Sequence, residues 1–364
     1  RLRSFAALPV ESIMPSAQVS RSIEAPDVDV VNCHAISLDQ RFLALCPNNE
    51  EIHIYDLKEP SGERVKVISK HTHRVTGLSF SSHGQLASAS EDRQAFVWTH
   101  DAASGEWYPD IVELKAQRAA TCIAWAPDGN RFAVGLSSRE VSVCVFDEQM
   151  SYWLATVIRK GIKGSVTSLS WHNSSSYLAT GSTDRQLMVF DVAEIGNETF
   201  GAVQVTEDVG AWVNAVAFSP TGRMLGCVAQ DSTVRFKDLG QGQQAPVTSV
   251  QWRRHPFLQA VFMDDSTFIA CGFDCVPVLF LNSGGQWQFS TVLDVSAKPA
   301  AAVADRETFE GARALFKKTD GQKAGAGGPG AMHSNTITAC SLLGENRFST
   351  SGLDGLVLVW QFSA

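Results

Sequence analysis

An aromatic residue, in three places followed by aspartate, recurs along this chain at nearly constant intervals. The recurring positions are Tyr55, Trp98, Phe146, Phe190, Phe236, Phe280 and Trp360. The intervals between them are 43, 48, 44, 46, 44 and 80 residues. Near-equal spacing indicates that one structural unit is repeated, and the last interval holds one unit plus an insertion of about 36 residues.

Each interval contains the same series of short strands. In the clearest copy, residues 75–80 alternate between apolar and polar side chains, residues 86–90 are mostly small, and residues 94–98 end on the recurring aromatic. Alternation with a period of two, bounded by turn residues, is typical of β-strands. A period of roughly 40–45 residues with four strands in each unit is typical of a β-propeller. The sequence therefore predicts an all-β, seven-bladed WD-repeat propeller.

The repeats also place the blades along the chain. We predict a single propeller domain over residues 1–364, with blades at about 31–57, 73–100, 118–148, 164–192, 211–239, 259–293 and 335–362. A ring must join its last blade to its first, because an open ring leaves sheet edges unpaired. We expect an early strand over residues 17–23 to pair with the outer edge of the last blade and close the ring.

Residues 294–334 interrupt the repeat and form an insertion arm. Within the arm, residues 305–318 predict a short amphipathic helix, because Phe309, Ala312 and Phe316 fall on one helical face. Acidic residues at its start and lysines at its end suit the helix dipole. A helix of this length is marginally stable alone in water, so it either folds onto the side of its own propeller or docks on another protein.

A series of aspartates lies in the turns of the predicted blades. These residues are Asp92, Asp184, Asp231, Asp274 and Asp354. A row of carboxylates could indicate catalysis, but in WD repeats such an aspartate belongs to a buried hydrogen-bond network with a histidine, a serine or threonine, and a tryptophan. Blade two supplies His71, Ser88 and Trp98 around Asp92. We therefore predict a structural role for the turn aspartates.

The composition argues against several other classes of protein. A formal net charge of −8 disfavours non-specific nucleic-acid binding, which needs a basic surface. The chain has no phosphate-binding glycine loop and no nucleophile elbow. Its eight cysteines form no Cys-x-x-Cys pair, which predicts buried free thiols in a reducing compartment. We expect a soluble intracellular protein with no membrane insertion, no enzyme activity, no cofactor and no metal.

Several segments are similar to one family in detail. They are residues 47–55 (Pro-Asn-Asn-Glu-Glu-Ile-His-Ile-Tyr), 118–121 (Arg-Ala-Ala-Thr), 231–234 (Asp-Ser-Thr-Val) and 348–355 (Phe-Ser-Thr-Ser-Gly-Leu-Asp-Gly). In these segments the chain resembles the WD-repeat subunit family of the actin-related protein 2/3 complex, the seven-subunit assembly that nucleates branched actin filaments. Residues 312–317 are also similar to the short helix that this family carries in its insertion.

The resemblance implies a non-catalytic scaffold in the cytoplasm, within the actin cytoskeleton. The propeller would be held by small subunits beside an actin-related protein. The arm would contact the mother actin filament or the acidic tails of nucleation-promoting factors. The residues that would make these contacts are Phe309, Arg313, Leu315, Phe316, Lys317 and Lys318 on the arm, and Arg118, Arg159 and Lys160 on the propeller.

Two other functional classes remain open at the level of sequence. One is a generic WD-repeat adaptor, such as a ubiquitin-ligase substrate receptor or a chromatin scaffold, because propellers host many functions. The other is a propeller enzyme that uses acids or a metal in its channel. Co-purifying partners would distinguish the first class, and metal retained by the purified protein would distinguish the second.

Overall fold

The computed structural model describes residues 16–25, 27–58, 62–242, 245–293, 332–344 and 346–363. Most of the insertion arm, including the helix predicted over residues 305–318, lies outside these ranges. The described part consists almost entirely of β-strands and loops, with one short 3-10 helix at Leu239–Gln241. This confirms the prediction of an all-β fold.

The strands fall into seven groups of four, which we number as blades one to seven. From the innermost to the outermost strand, blade one contains β2 (Cys33–Ile36), β3 (Phe42–Cys46), β4 (Glu51–Asp56) and β5 (Glu63–Ser69). Blade two contains β6 (Val75–Phe80), β7 (Leu86–Ser90), β8 (Ala95–His100) and β9 (Trp107–Val112). Blade three contains β10 (Ala120–Trp125), β11 (Arg131–Leu136), β12 (Glu140–Asp147) and β13 (Tyr152–Ile158).

The remaining four blades follow the same order. Blade four contains β14 (Val166–Trp171), β15 (Tyr177–Ser182), β16 (Gln186–Asp191) and β17 (Val203–Asp208), and blade five contains β18 (Val213–Phe218), β19 (Met224–Ala229), β20 (Thr233–Asp238) and β21 (Val247–Gln251). Blade six contains β22 (Phe257–Asp264), β23 (Thr267–Gly272), β24 (Val278–Ser283) and β25 (Gln286–Val292). Blade seven contains β26 (Ile337–Gly344), β27 (Arg347–Gly352), β28 (Leu356–Ser363) and β1 (Ser16–Glu24).

The blades are antiparallel meanders arranged around a central channel. Blades two and three form one eight-stranded sheet, because Val112 and Trp153 make a parallel pair between their outer strands. The seven innermost strands contact one another in a closed cycle, in which β26 of blade seven returns to β2 of blade one. This arrangement is a β-propeller, as the sequence predicts.

The first described strand closes the ring. β1 pairs antiparallel with β28, so that Ala17 lies opposite Phe362 and Ile23 lies opposite Val357. The N-terminal strand thus becomes the outer strand of blade seven, which confirms the expected closure. Ile23 is fully buried and packs in one apolar cluster with Leu43 and Tyr55 of blade one.

The core lies between adjacent blades and contains most of the recurring aromatic residues. Six of the seven are buried, but Phe146 is 41% exposed. Strand pairing explains this exception. In blade two Trp98 lies opposite Leu86 at the start of the second strand, and in blade three the residue in the equivalent position, opposite Phe132, is Cys144. The recurring position that the sequence predicts at Phe146 therefore belongs to Cys144. Trp125 and Trp153 supply the aromatic bulk of that blade instead.

The connections between strands lie on two opposite faces of the ring. In a ring of antiparallel meanders, the links between blades and the turns between second and third strands share one face, which we call the front face. The turns between first and second strands, and between third and fourth strands, share the other, which we call the back face. The insertion arm leaves after Leu293 and returns before Met332, so both of its ends are at the front face.

A ring of polar side chains joins neighbouring blades around the channel. Six side chains each donate a hydrogen bond to a backbone carbonyl at the start of the next blade. The donor and acceptor residues are Asn32 and Val75, Thr76 and Ala120, Thr121 and Val166, Thr167 and Val213, Asn214 and Phe257, and Thr338 and Val31. Five of the donors lie at a register shift of an innermost strand. Blade six carries Leu258 at its register shift, and this side chain cannot donate a hydrogen bond.

Thr121→Val should lower the free energy of unfolding by about 1–2 kcal/mol, because it removes the hydroxyl that bonds the carbonyls of Val166 and Gly135 at 2.6 and 2.9 Å. Thr99→Val is the matched control, because Thr99 is exposed on β8. Urea unfolding of the two variants measures the difference. Equal midpoints for Thr121→Val and the wild type would show that the ring of bonds does not stabilise the propeller.

A buried histidine spans the seam between blades seven and one. His34 on β2 is 3% exposed, and its two ring nitrogens lie 2.8 Å from the hydroxyls of Ser351 and Ser349 on β27. Burial, assisted by the nearby His333, lowers the pKa of His34 from 6.5 to about 3. The ring is therefore neutral in the folded protein at neutral pH, and one of its nitrogens accepts a hydrogen bond.

This histidine predicts a loss of stability in mild acid. The unfolded chain binds a proton at His34 below pH 6.5, whereas the folded protein does so only near pH 3. The free energy of unfolding is therefore highest above pH 6.5 and declines as the pH falls between these two values. At pH 5 the loss from this residue is about 2 kcal/mol. Urea unfolding between pH 5 and pH 8 should show a shallower pH dependence for His34→Gln than for the wild type. Parallel profiles would contradict the account.

Candidate functional site

The structure brings together the four polar residues predicted in blade two. His71 Nδ1 lies 2.8 Å from a carboxylate oxygen of Asp92, and His71 Nε2 lies 2.8 Å from the hydroxyl of Ser88. Trp98 Nε1 donates to the same hydroxyl at 2.9 Å. The side chains of His71 and Asp92 are 0% and 3% exposed. The network ties the link that precedes the blade to its second and third strands.

The carboxylate of Asp92 is fully engaged by donors from its own blade. Burial raises its pKa, but hydrogen bonds from His71 and from the backbone N–H groups of Thr72 and Gln94 outweigh burial, so that its pKa lies below the ordinary value. A carboxylate with these partners is ionised at neutral pH and binds its own turn. These contacts hold the turn of blade two against the link that precedes the blade.

Blade seven contains a second network of the same kind. His333 Nδ1 lies 3.1 Å from Asp354, His333 Nε2 lies 2.9 Å from the hydroxyl of Thr350, and Trp360 Nε1 donates to that hydroxyl at 2.8 Å. Of these four residues, only Asp354 was predicted from the sequence to belong to a blade network. The sequence spacing could have identified the other three. In both blades the hydroxyl residue, the aspartate and the tryptophan follow the histidine after 17, 21 and 27 residues.

The other three turn aspartates have different partners. Asp184 accepts from the backbone N–H of Lys163, Asp231 pairs with Arg235 at 2.7 Å, and Asp274 accepts from Trp252 Nε1 and contacts His255. Each carboxylate therefore has donors in its own neighbourhood. Across the described ranges, no group of three or more histidine, cysteine, aspartate and glutamate residues is placed to hold a metal ion.

The cysteine thiols are free, as the sequence predicts, and five of the eight are buried. Burial raises the pKa of Cys122 and of Cys227 to about 12, and it raises the pKa of Cys144 further. These thiols are therefore protonated at neutral pH. A protonated thiol is a poor nucleophile, so their contribution is to packing.

The predicted propeller contacts lie on the front face. Arg118 is in the link between blades two and three, and Arg159 and Lys160 are in the link between blades three and four; all three side chains are exposed. Arg159 also pairs at 2.6 Å with the buried carboxylate of Glu140. The arm begins and ends on the same face between blades six and seven, and its predicted contact residues lie outside the described ranges.

The two links that flank blade three on the front face are locally basic, although the whole chain is acidic. Between residues 113 and 163, these links, the turn between them and the adjoining strand end carry six basic residues and two acidic ones. The basic residues are Lys115, Arg118, Arg139, Arg159, Lys160 and Lys163, and the acidic residues are Glu113 and Glu140. We call this surface the basic patch. Its charge suits an acidic protein segment.

Comparison with known proteins identifies the family. Residues 62–99, 155–191 and 204–238 match the family WD domain, G-beta repeat. The chain is 33% identical to actin-related protein 2/3 complex subunit 1B of Arabidopsis thaliana, over 91% of this chain and 93% of that protein. The chain belongs to the actin-related protein 2/3 complex subunit 1 family.

Two further members of the subunit 1 family come from an animal and a yeast. The chain is 30% identical to subunit 1A-A of Xenopus laevis, over 92% of this chain and 95% of that protein. It is 28% identical to subunit 1 of Saccharomyces cerevisiae, over 94% of this chain and 96% of that protein. In the part of the chain that the structure describes, no helix has the length and apolar character needed to span a bilayer.

Proposed function

We propose that this chain is a non-catalytic scaffold subunit of an actin-related protein 2/3 complex, and that it supports the nucleation of branched actin filaments in the cytoplasm. The observation that carries the proposal is the similarity to subunit 1 proteins over nearly the full length of both chains. In this role the propeller holds its neighbours in fixed positions, and the chemistry of nucleation belongs to the actin-related proteins.

The construction of the ring supports a scaffold role. A scaffold must keep its two faces in a fixed relation while different partners bind to each. β1 closes the ring by pairing with β28, and the polar ring links most neighbouring blades through side-chain hydrogen bonds. The buried networks in blades two and seven fix the links that lead into those blades. These features oppose relative movement of the blades.

In this role the front face of the propeller contacts the mother filament and nucleation-promoting factors. On the arm, Phe309, Leu315 and Phe316 would be apolar anchors, with Arg313, Lys317 and Lys318 beside them. The basic patch, which contains Arg118, Arg159 and Lys160, would attract the acidic tail of a nucleation-promoting factor. Opposite charge increases the rate of encounter more than it increases affinity, so this contact should weaken with added salt.

Phe316→Ala and Lys317→Glu test the assignment of the arm. Both changes should leave the melting temperature unchanged and reduce the density of branches formed by the purified complex. Truncation of an aromatic anchor weakens a contact by roughly tenfold or more, and reversal of the lysine charge repels an acidic partner. The control is Lys323→Glu, which lies in the arm beyond the predicted helix. Wild-type branch density in both variants would remove the arm from the mechanism.

A further inference from the structure

A concave pocket lies on the back face, in the groove between blades four and five. Its volume is about 570 Å³, and its apolar lining includes Val205, Phe218 and Leu239. The ring of His172 stands edge-on to Tyr177 and Phe218, with centroids 5.7 and 5.3 Å apart. Tyr177 is 38% exposed, so an aromatic wall faces the opening. The volume is within the range of roughly 300–1,000 Å³ that is typical of binding clefts.

The local backbone holds this pocket in shape. Gly222, in the turn between β18 and β19, has a φ of +79° and lies so close to His172 that an added Cβ would be 2.0 Å from Nε2. Only glycine fits this contact without displacing the ring. The turn of blade five is therefore pressed against the histidine of blade four. The packing of blades four and five thus forms most of the pocket, and Asp265 of blade six completes its lining.

The surroundings of the pocket are strongly acidic. On the back face of blades four to six, the described strand ends and turns carry six acidic residues and one exposed basic residue, Arg223. Two further cations at this face are engaged: Arg131 of blade three donates to the carbonyls of Ser175 and Val192, and the buried Lys237 pairs with Glu207. The acidic residues are Asp191, Glu194, Glu198, Asp238, Asp264 and Asp265. Arg223 is engaged by both carboxylate oxygens of Asp238 at 3.1 and 2.9 Å. Asp265 lines the pocket itself.

We propose that this pocket binds an apolar side chain of a neighbouring protein subunit, carried on a segment rich in lysine and arginine. The inference rests on the proposed function, which supplies neighbouring subunits. A few side chains that enter well-packed, desolvated pockets carry most of the binding energy in protein interfaces, and large apolar or aromatic anchors are prominent among them. The carboxylates around the opening select a basic flanking sequence and repel an acidic one. The acidic partners proposed for the front face therefore do not fit here.

The experiment uses the full-length chain, tagged and expressed in its own cells. A benzophenone amino acid in place of Tyr177 should crosslink, after irradiation, to a co-purifying subunit at an apolar residue flanked by lysine or arginine. The matched control replaces Tyr152, a tyrosine of similar exposure at 42% on blade three, and should not crosslink to that segment. A crosslink to an acidic segment, to a second copy of this chain or to no protein would overturn the proposal.

A charge-reversal variant tests the same site independently. Asp264→Lys combined with Asp265→Lys should weaken retention of the crosslinked subunit by at least tenfold, whereas Asp147→Lys combined with Glu148→Lys, on the back face of blade three, should not. Unchanged retention in an intact complex would overturn this proposal alone. If the unmodified chain co-purifies with no actin-related protein, the proposed function fails and this proposal fails with it.

Discussion

Asp354→Ala should lower the free energy of unfolding by about 2–4 kcal/mol. The side chain of Asp354 is 5% exposed and accepts hydrogen bonds from His333 and from the backbone N–H groups of Ser334 and Leu356. Burial raises the pKa of this carboxyl, but these donors outweigh burial and hold its pKa below the ordinary value. Its removal leaves His333 buried without the partner that orients it.

The matched control is Asp231→Ala. Asp231 is also a turn aspartate, but it lies in a blade without the histidine network and pairs with Arg235 while its side chain is 36% exposed. We expect this variant to lose no more than about 1 kcal/mol. Urea unfolding with an unchanged slope gives both values. Equal losses in the two variants would show that the network in blade seven adds nothing beyond an ordinary turn contact.

Ile23→Asp should destabilise the protein even more strongly, by more than about 4 kcal/mol. Ile23 is fully buried where β1 joins blade seven to blade one, and it shares a cluster with Leu43, Tyr55 and Val357. A carboxylate at this site has no described cation in that cluster to pair with it, and an unpaired buried charge is very costly. Loss of β1 would also expose the edge of β28, which favours aggregation.

The control for this prediction is in the same strand. Gln18 is exposed on β1, so Gln18→Asp introduces the same carboxylate without burying it, and its melting temperature should stay within a few degrees of wild type. Thermal melting and size-exclusion chromatography report stability and aggregation together. If Ile23→Asp melts as the control does, β1 is not the strand that holds the ring closed.

The periodic features of the fold could be predicted from the sequence because they repeat. The intervals between aromatic residues predicted a ring of repeated four-stranded units, and the expected strand near residue 20 is β1. The outer strands were harder to recognise. β5 and β17 are largely exposed and lie beyond the recurring aromatic that was taken as the end of each unit, so the predicted ranges of blades one and four end before them. In blade three the aromatic at Phe146 lay two residues beyond the true position, Cys144.

The sites followed the same division. The network around Asp92 was predicted because its four residues occur in one repeat, and the equal spacing around His333 would have located the second network. The back-face pocket was not predictable. It combines residues from blades four, five and six, such as Tyr177, Leu239 and Asp265, whose proximity depends on how the blades pack. The spacing of residues along the sequence does not predict how these blades pack against one another.

The measurement that tests the central claim most directly is the composition of the native assembly. The chain would be tagged in its own cells, purified gently, separated by size-exclusion chromatography and analysed by mass spectrometry. We expect two actin-related proteins and several small subunits to co-elute in a stable complex several times larger than the 39.4 kDa of this chain. A propeller that elutes alone, or with ubiquitin-ligase or chromatin components, would contradict the proposed function.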